Sequence, residues 1–334
     1  MSWDSQHDRA FWISPEERIA FYLNRQELFE IDLAQYEEVK SKTHWNRKEM
    51  RLVAYQDYEY TFTHWYCKHI VHLPRIRNIR TLPFYKSYKD LHSLMNFFQA
   101  FDQAGKSHAN TKYPLFYGEA GDTGGIPCIR KSRKSDDNTS VIFNFRSLRL
   151  TSPCSEAASV DIPWKKKKND VIWRGATTGQ EQRVVFVEKY FGKYDVGFAS
   201  TKQKPHLNHL KKGKVTIKEQ LRYKFIISLE GNDVASNLRW ILSSNSVPIM
   251  TKPYWQSWIM EARLEPGVHY LQLNDDLSNL EEVLDWAVAN DDACREIAEN
   301  GKKYMSQFLD QNHDLPIQKM LLDEYAKRLT YNHN

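Results

Sequence analysis

The stretch YKFIISLEGNDVASNLRWILSSNSVPIM, Tyr223 to Met250, decides how the chain is read. Phe225, Ile226, Ile227 and Leu229 form a short apolar run that ends at Glu230-Gly231. From Val234 the apolar residues recur at helical spacing through Leu238, Ile241 and Leu242, and Val247-Pro248-Ile249-Met250 is a second apolar run. The pattern predicts strand, tight turn, helix, strand. Asn232 and Asp233 stand where an N-cap belongs, and Gly231, Ala235 and Ser236 are small enough to admit another group to the free N–H donors of the first helical turn. A helix N-terminus at the carboxyl end of a strand is an anion site, and open α/β sheets hold nucleotide phosphates in that place. The spacing is neither GxGxxG nor GxxxxGK(S/T), so neither a dinucleotide fingerprint nor a P-loop is present. An ordinary capped βαβ turn would explain the same residues, so the motif counts only with support from elsewhere.

That support lies upstream. Val171-Ile172-Trp173 reads as a strand, followed by Arg174-Gly175-Ala176-Thr177-Thr178-Gly179 and, from Glu181, a helix carrying Val184, Val185 and Val187. Two hydroxyls, two glycines and an arginine between strand and helix make a second phosphate cradle, and Arg183 on the first turn adds a fixed positive charge.

At 334 residues the chain is long enough for two domains with separate cores. Hydrophobic residues at 41% and charged residues at 27% fit a globular protein rather than a disordered one. No run reaches bilayer-spanning length and the N-terminus lacks the order of a secretion signal, so a cytoplasmic location is expected. The four cysteines, Cys67, Cys128, Cys154 and Cys294, form no CxxC pair and are read as free thiols. A net charge of +5 tolerates an anionic partner without demanding nucleic acid. Basic clusters at Arg130 to Lys134, Lys165 to Lys168 and Lys211 to Lys214 could face phosphates or an anionic membrane surface, although each alone reads as a solvated loop.

Along the chain, Ser14-Pro15-Glu16-Glu17 combines a capping box with Pro at the first helical position and predicts a helix through Leu23. The polar stretch from there to Arg51 is read as helical. His64, His69 and His72 lack a carboxylate partner at a recognised spacing and are not read as a metal site. Leu91, Leu94, Met95, Phe98 and Phe101 mark a core-facing helix face. Tyr113 to Tyr117, Ile126 to Ile129 and Val141 to Phe145 read as strands of a first α/β domain, with Glu119 and Asp122 in a Gly-rich loop. Thr151 to Asn169 reads as a linker or domain boundary, Tyr254 to Glu261 as a short helix, and Val268 to Leu273 as a strand. Helices are expected around Leu277 to Ala287, over Asp291 to Leu309 and over Leu315 to Leu329.

The segments PWKKKKNDVIWRGATTG (Pro163 to Gly179), RYKFIISLEGNDVASNLRWILSSNSVPIM (Arg222 to Met250) and PGVHYLQLNDDLSNL (Pro266 to Leu280) resemble glycosyltransferase family 90. This is the protein O-glucosyltransferase and capsule-associated protein family, whose bacterial branch includes lipopolysaccharide core proteins of the LpsA type. The resemblance covers most of the second half in matching order; the first half is only loosely similar. It implies a GT-B arrangement, an α/β fold of two Rossmann-like domains facing across a cleft, with the final helices crossing back to the first. The implied domains are an acceptor-side domain over 1–155, a nucleotide-sugar domain over 165–309 and a returning helix over 310–334.

The resemblance also implies an inverting transfer from a UDP-sugar to a glycan or glycolipid acceptor, with no metal. The chain has no Asp-x-Asp triplet, so charge on the leaving UDP must be met by backbone donors and cations. Carried onto this chain, the family places Arg174, Gly175, Ala176 and Thr177 near the donor. Arg183 follows if one residue is inserted, and Gly231, Val234, Ala235 and Ser236 match the small-residue helix start. Where the animal enzymes have an arginine one turn into that helix this chain has Asn237, and the nearest cation is Arg239. The family's base is an aspartate upstream of an Ile-Pro strand. Glu119 falls there relative to Ile126-Pro127, with Asp122 close behind, and either would take the proton as an acceptor hydroxyl attacks the anomeric carbon. The competing reading is a carbohydrate or anionic-polymer binding protein that keeps the fold without the chemistry. A nucleic-acid binder would rest on the basic clusters alone.

Overall fold

The computed structural model describes residues 11–24, 28–34, 127–146, 148–179 and 181–332. The chain divides into two units, one of Met1–Trp12 with Leu150–Leu309, the other of Ile13–Arg149 with Asp310–Asn334.

In the second of these, the helix Pro15–Leu23 begins as its sequence dictates: Ser14 Oγ accepts the Glu17 amide and Glu17 Oε2 accepts the Ser14 amide, both at 3.1 Å. It ends at Asn24 in the left-handed conformation. Its last carbonyls, Phe21 and Tyr22, are bound by the buried guanidinium of Arg133, which answers the need of a helix end for donors. The polar stretch beyond was expected to be helical, yet Phe29–Asp32 is a strand that pairs in parallel with Leu329–Asn332. Phe29 and Ile31 are buried and Glu30 is exposed, a period of two that short polar flanks concealed. The helix Gln311–Arg328 lies in the same unit, where Tyr325 donates to the Pro127 carbonyl at 3.0 Å and Asp314 accepts from Asn144 Nδ2 at 2.9 Å. Tyr113 to Tyr117, the helix face from Leu91 and the three histidines lie outside the described residues.

The unit of Leu150–Leu309 is built on a parallel sheet of five strands: β1 (Lys168–Ala176), β2 (Asp195–Ser200), β3 (Tyr223–Ile227), β4 (Val247–Met250) and β5 (Leu271–Gln272). Their order is β5-β4-β3-β1-β2. The helices are α1 (Gln182–Tyr190), α2 (Leu238–Leu242), α3 (Leu280–Ala289) and α4 (Asp291–Leu309). Phe225, Ile226 and Ile227 of β3 lie beside Val247, Pro248 and Ile249 of β4, and all six are buried. Continuous apolar strands of this kind are what a sheet covered on both faces requires. Trp173 meets Phe186 of α1 and Phe198 of β2 edge-on, which fixes α1 against the sheet. Among the described residues no helix is long and apolar enough to cross a membrane.

Two expectations fail here. The stretch Thr151 to Asn169, expected as a linker or boundary, lies beside the division between the two units at Arg149 and Leu150, but it is no linker: it holds most of the helix Leu148–Val160 and a 3-10 turn at Trp164–Lys166. Cys154 and Ala157, three apart, form a buried stripe that outweighs the one hydrogen bond Pro153 gives up, and Trp164 is buried with Nε1 donating to Asp291. The expected helix at Tyr254 to Glu261 is instead a strand, Trp255–Ser257, then a 3-10 turn, Glu261–Arg263. Pro253 precedes it, and Met260 takes a left-handed φ of 55° that no helix accommodates.

Candidate functional site

The order β5-β4-β3-β1-β2 has one reversal: the chain leaves β1 for β2 on one side, then returns to β3 and proceeds the other way through β4 to β5. In open parallel sheets the crevice outside the carboxyl ends of the two strands at such a reversal is where ligands bind. Its walls here are the loop after β1, with Thr177, Thr178 and Gly179, and the loop after β3, from Ser228 to Asn237. These loops touch through two glycines. Gly179 has a φ of 79°, and a Cβ placed on it would lie 2.1 Å from the carbonyl carbon of Gly231.

Arg183, on the first turn of α1, holds both loops. Its Nε donates to the Glu230 carbonyl at 2.9 Å and its Nη2 to the Leu229 carbonyl at 2.8 Å. Its Nη1 donates to Thr178 Oγ1 at 2.9 Å and to the Ala176 carbonyl at 3.2 Å. The guanidinium carbon stands 5.9 Å from the ring centroid of Trp173, and a Cβ on Gly231 would come within 2.8 Å of Nη2. Trp173 in turn needs Gly175, because a Cβ there would meet its indole at 2.4 Å. Among the described residues, every hydrogen-bond partner of Arg183 is a neutral oxygen. Burial lowers its pKa to about 10, and the nearby carboxylates of Asp233 and Glu230 pull it back, so it is charged at neutral pH. Among the described residues, a cation without an ion pair therefore sits at the reversal point.

The other candidates divide. Arg174 lies within β1, not in a turn, and is committed to Asp195: Nη2 reaches Oδ1 at 2.5 Å and Nη1 the backbone carbonyl at 2.7 Å. Burial raises the Asp195 pKa, but Arg174 and the Tyr223 hydroxyl outweigh it and leave the carboxyl below its ordinary range. Arg239 is fully buried, bonded to Ser257 Oγ at 2.6 Å and to Glu261 at 3.3 Å, with Trp258 under its guanidinium. Neither arginine offers its charge to the crevice.

The helix expected from Val234 begins only at Leu238 and runs five residues. Val234, Ala235 and Ser236 belong to the turn before it, so the helix-terminus anion site is not formed. Asn237 explains the shift. Its Nδ2 donates to the Ile227 carbonyl at 2.9 Å and its Oδ1 accepts from Ser228 Oγ at 3.1 Å, while the Gly231 amide is taken by the Asp233 carbonyl. Short polar side chains here draw the backbone into a turn in preference to a helix. Asn237 is thus a brace at the end of β3. Thr177 donates its amide to the Ser200 carbonyl, and its hydroxyl is buried with no hydrogen-bond partner among the described residues. Glu119 and Asp122 lie outside the described residues.

Glu230 was not singled out by the sequence, because a carboxylate at a strand end reads as solvated. Its Oε1 accepts the backbone amides of Tyr254 at 3.1 Å and Trp255 at 2.8 Å, so it ties the loop after β4 to the loop after β3. Burial pushes its pKa up to about 7 despite those two bonds, with Glu261 and Asp233 adding to the rise.

The basic clusters also separate. Arg130 and Arg133 are buried, Arg130 facing Asp137 at 3.7 Å, and Lys167 is buried against Asp161 and Ser246. Lys165, Lys166, Lys168, Lys211, Lys212 and Lys214 are exposed. Lys168 and Lys212 mark the amino-terminal edge of the sheet. Lys168 opens β1 and stands 4.8 Å from the Tyr223 ring centroid, and Lys212 reaches the carbonyl of Tyr194, just before β2.

A model of the family described as glycosyl transferase family 90 matches residues 140–334, a span that holds the whole parallel sheet and both loops of the crevice. The chain is 36% identical over 226 residues to the O-glucosyltransferase LpsA of Dichelobacter nodosus, with 65% of this chain and 69% of that protein covered. It is 27% identical over 176 residues to protein O-glucosyltransferase 1 of Homo sapiens, where 51% of this chain and 45% of the human protein align. Similarity to the O-glucosyltransferase rumi of Drosophila pseudoobscura pseudoobscura is 26% over 184 residues, covering 53% of this chain and 45% of the fly protein. The chain thus spans less than half of each animal relative.

Proposed function

The chain belongs to glycosyl transferase family 90, and from that premise we propose that it moves a sugar from a UDP-sugar to a hydroxyl of a bacterial surface glycan, lipopolysaccharide core or capsule. The observation that carries the donor assignment is Arg183: a half-buried cation at the sheet's reversal point, held by neutral oxygens and, among the described residues, paired with no carboxylate. A diphosphate in that crevice supplies the missing negative charge, and the Thr177 hydroxyl is a donor in search of an acceptor. Because the named relatives are O-glucosyltransferases, UDP-glucose is the first donor to test.

In the reaction we propose, the acceptor oxygen attacks the anomeric carbon as the bond to the β-phosphate oxygen breaks, with inversion. The electron pair leaves on UDP, where Arg183 and backbone amides stabilise it without a metal. The acceptor proton passes to Glu119 or Asp122, contributed by the first half of the chain across the cleft of a GT-B arrangement. Titration with UDP and UDP-sugars tests the donor; binding of a different nucleotide and none of these would contradict it.

A second reading, a binding protein that has lost the chemistry, rests on Asn237 standing where the animal enzymes have an arginine and on the open choice of base between Glu119 and Asp122. The brace that Asn237 forms gives it a structural purpose, which weakens the first of these grounds and leaves the second to the experiment. Slow release of UDP from UDP-glucose without acceptor separates the two readings. We also place the exposed lysines at the amino-terminal edge of the sheet, the edge opposite the crevice, against an anionic cytoplasmic membrane face. Co-sedimentation with anionic but not neutral vesicles, lost at high salt, is the expected result.

A further inference from the structure

We propose that Glu230 is a positioning residue of the donor site, an ionisable strut that holds the loop after β4 against the pair of loops clamped by Arg183. The inference rests on the donor reading for its consequence, and on geometry for its substance. Glu230 contributes twice. Its carbonyl takes the Nε–H of Arg183, while its side-chain Oε1 takes the amides of Tyr254 and Trp255. One residue thereby joins the loops after β1, β3 and β4, which together form the wall of the crevice. Gln182 adds a weaker link on the same side, Nε2 to Thr251 Oγ1 at 3.5 Å.

The strut needs an acceptor oxygen, not a charge. Its charge instead acts on what enters the crevice. The ionisable groups around it are Arg183 of α1, Asp233 on its own loop and Glu261 after β4, with Lys252 exposed on the loop it holds. Two of those three near neighbours are acidic, so an ionised Glu230 offsets part of the Arg183 charge that a diphosphate would use. With a carboxyl that titrates near neutrality, diphosphate binding is linked to proton uptake: the ligand favours the neutral form of Glu230, and the neutral form favours the ligand.

The two roles are separable by substitution. Glu230→Gln keeps the acceptor oxygen and removes the charge; Glu230→Ala removes both. Amide hydrogen exchange at Tyr254 and Trp255 reads the strut with no nucleotide present. Protection should fall by about tenfold or more in Glu230→Ala and be retained in Glu230→Gln. Calorimetric titration with UDP-glucose reads the consequence. Wild-type affinity should rise several-fold from about pH 8.5 to about pH 6.5, with uptake of a fraction of a proton, whereas Glu230→Gln should be flat over that range and tighter than wild type at the upper end. Glu230→Ala should bind about tenfold more weakly than Glu230→Gln at every pH. A Glu230→Ala protein with wild-type protection and affinity, or a Glu230→Gln protein as damaged as Glu230→Ala, overturns the strut. If the exchange pattern holds while no protein form binds UDP or UDP-glucose, the donor reading fails and the strut stands.

Discussion

Gly179 and Gly231 meet backbone to backbone at the sheet's reversal point, so closely that a Cβ on Gly179 would lie 2.1 Å from the Gly231 carbonyl carbon. Substitution of Gly179 must either push the loop after β1 off the loop after β3 or break the contacts of Arg183. The left-handed φ of 79° adds a conformational penalty. Gly179→Ala should therefore cost about 2 kcal/mol or more in stability and abolish UDP binding, read by denaturant unfolding beside a UDP titration.

The three arginines that sequence reading placed near the donor should behave differently. Arg183→Lys keeps a charge but cannot reach four oxygens, so UDP affinity should fall by about a hundredfold. Arg174→Ala should leave UDP affinity within about threefold of wild type, since that guanidinium is committed to Asp195. Arg239→Ala strands Glu261 in the core and should cost about 3–5 kcal/mol in stability. Its UDP affinity, measured where it remains folded, should change little.

Glu230 also sets a direction for stability against pH. Its folded pKa, about 7, lies above its ordinary value of 4.5, so between the two the folded state binds more protons than the unfolded state. The contribution of Glu230 is then fully present below about pH 4.5, declines as pH rises through 7 and is flat beyond. Glu230→Gln removes the decline. The difference in unfolding free energy between variant and wild type should favour the variant by an amount of the order of 2–3 kcal/mol more at pH 8.5 than at pH 4.5.

For the base, Glu119→Gln should lower kcat by roughly a hundred- to ten-thousandfold with UDP affinity little changed, and Asp122→Asn should be mild. Steady-state rates with a glycan acceptor, measured beside UDP binding, decide between them. A dead Asp122 variant beside an active Glu119 variant reverses the assignment.

What was legible in the sequence follows from how local the determining interactions are. The capping box at Ser14, the apolar runs of β3 and β4 and the period of α4 act within a few residues, and each element stands where its pattern put it. The turn from Gly231 to Asn237 was misread because its outcome depends on Asn237 reaching back to Ile227 and Ser228, a choice between two uses of the same polar residues that spacing does not reveal. The place of Arg183 on the first turn of α1 is local and so legible in the sequence. That Arg174 and Arg239 are neutralised depends on Asp195 and Glu261, both about twenty residues further along the chain, and no local pattern carries such a pairing. Glu230 was overlooked for the same reason, its two amide donors being supplied by the loop after a different strand.

Calorimetric titration of the wild-type protein with UDP in the presence of EDTA tests the central claim most directly. Saturable one-to-one binding is expected, with an affinity in the range of about 1–100 μM, unchanged by the chelator and not matched by ADP or GDP. No binding of UDP while another nucleotide saturates the site, or binding that appears only on addition of Mn²⁺ or Mg²⁺, would contradict a metal-free UDP site built on Arg183.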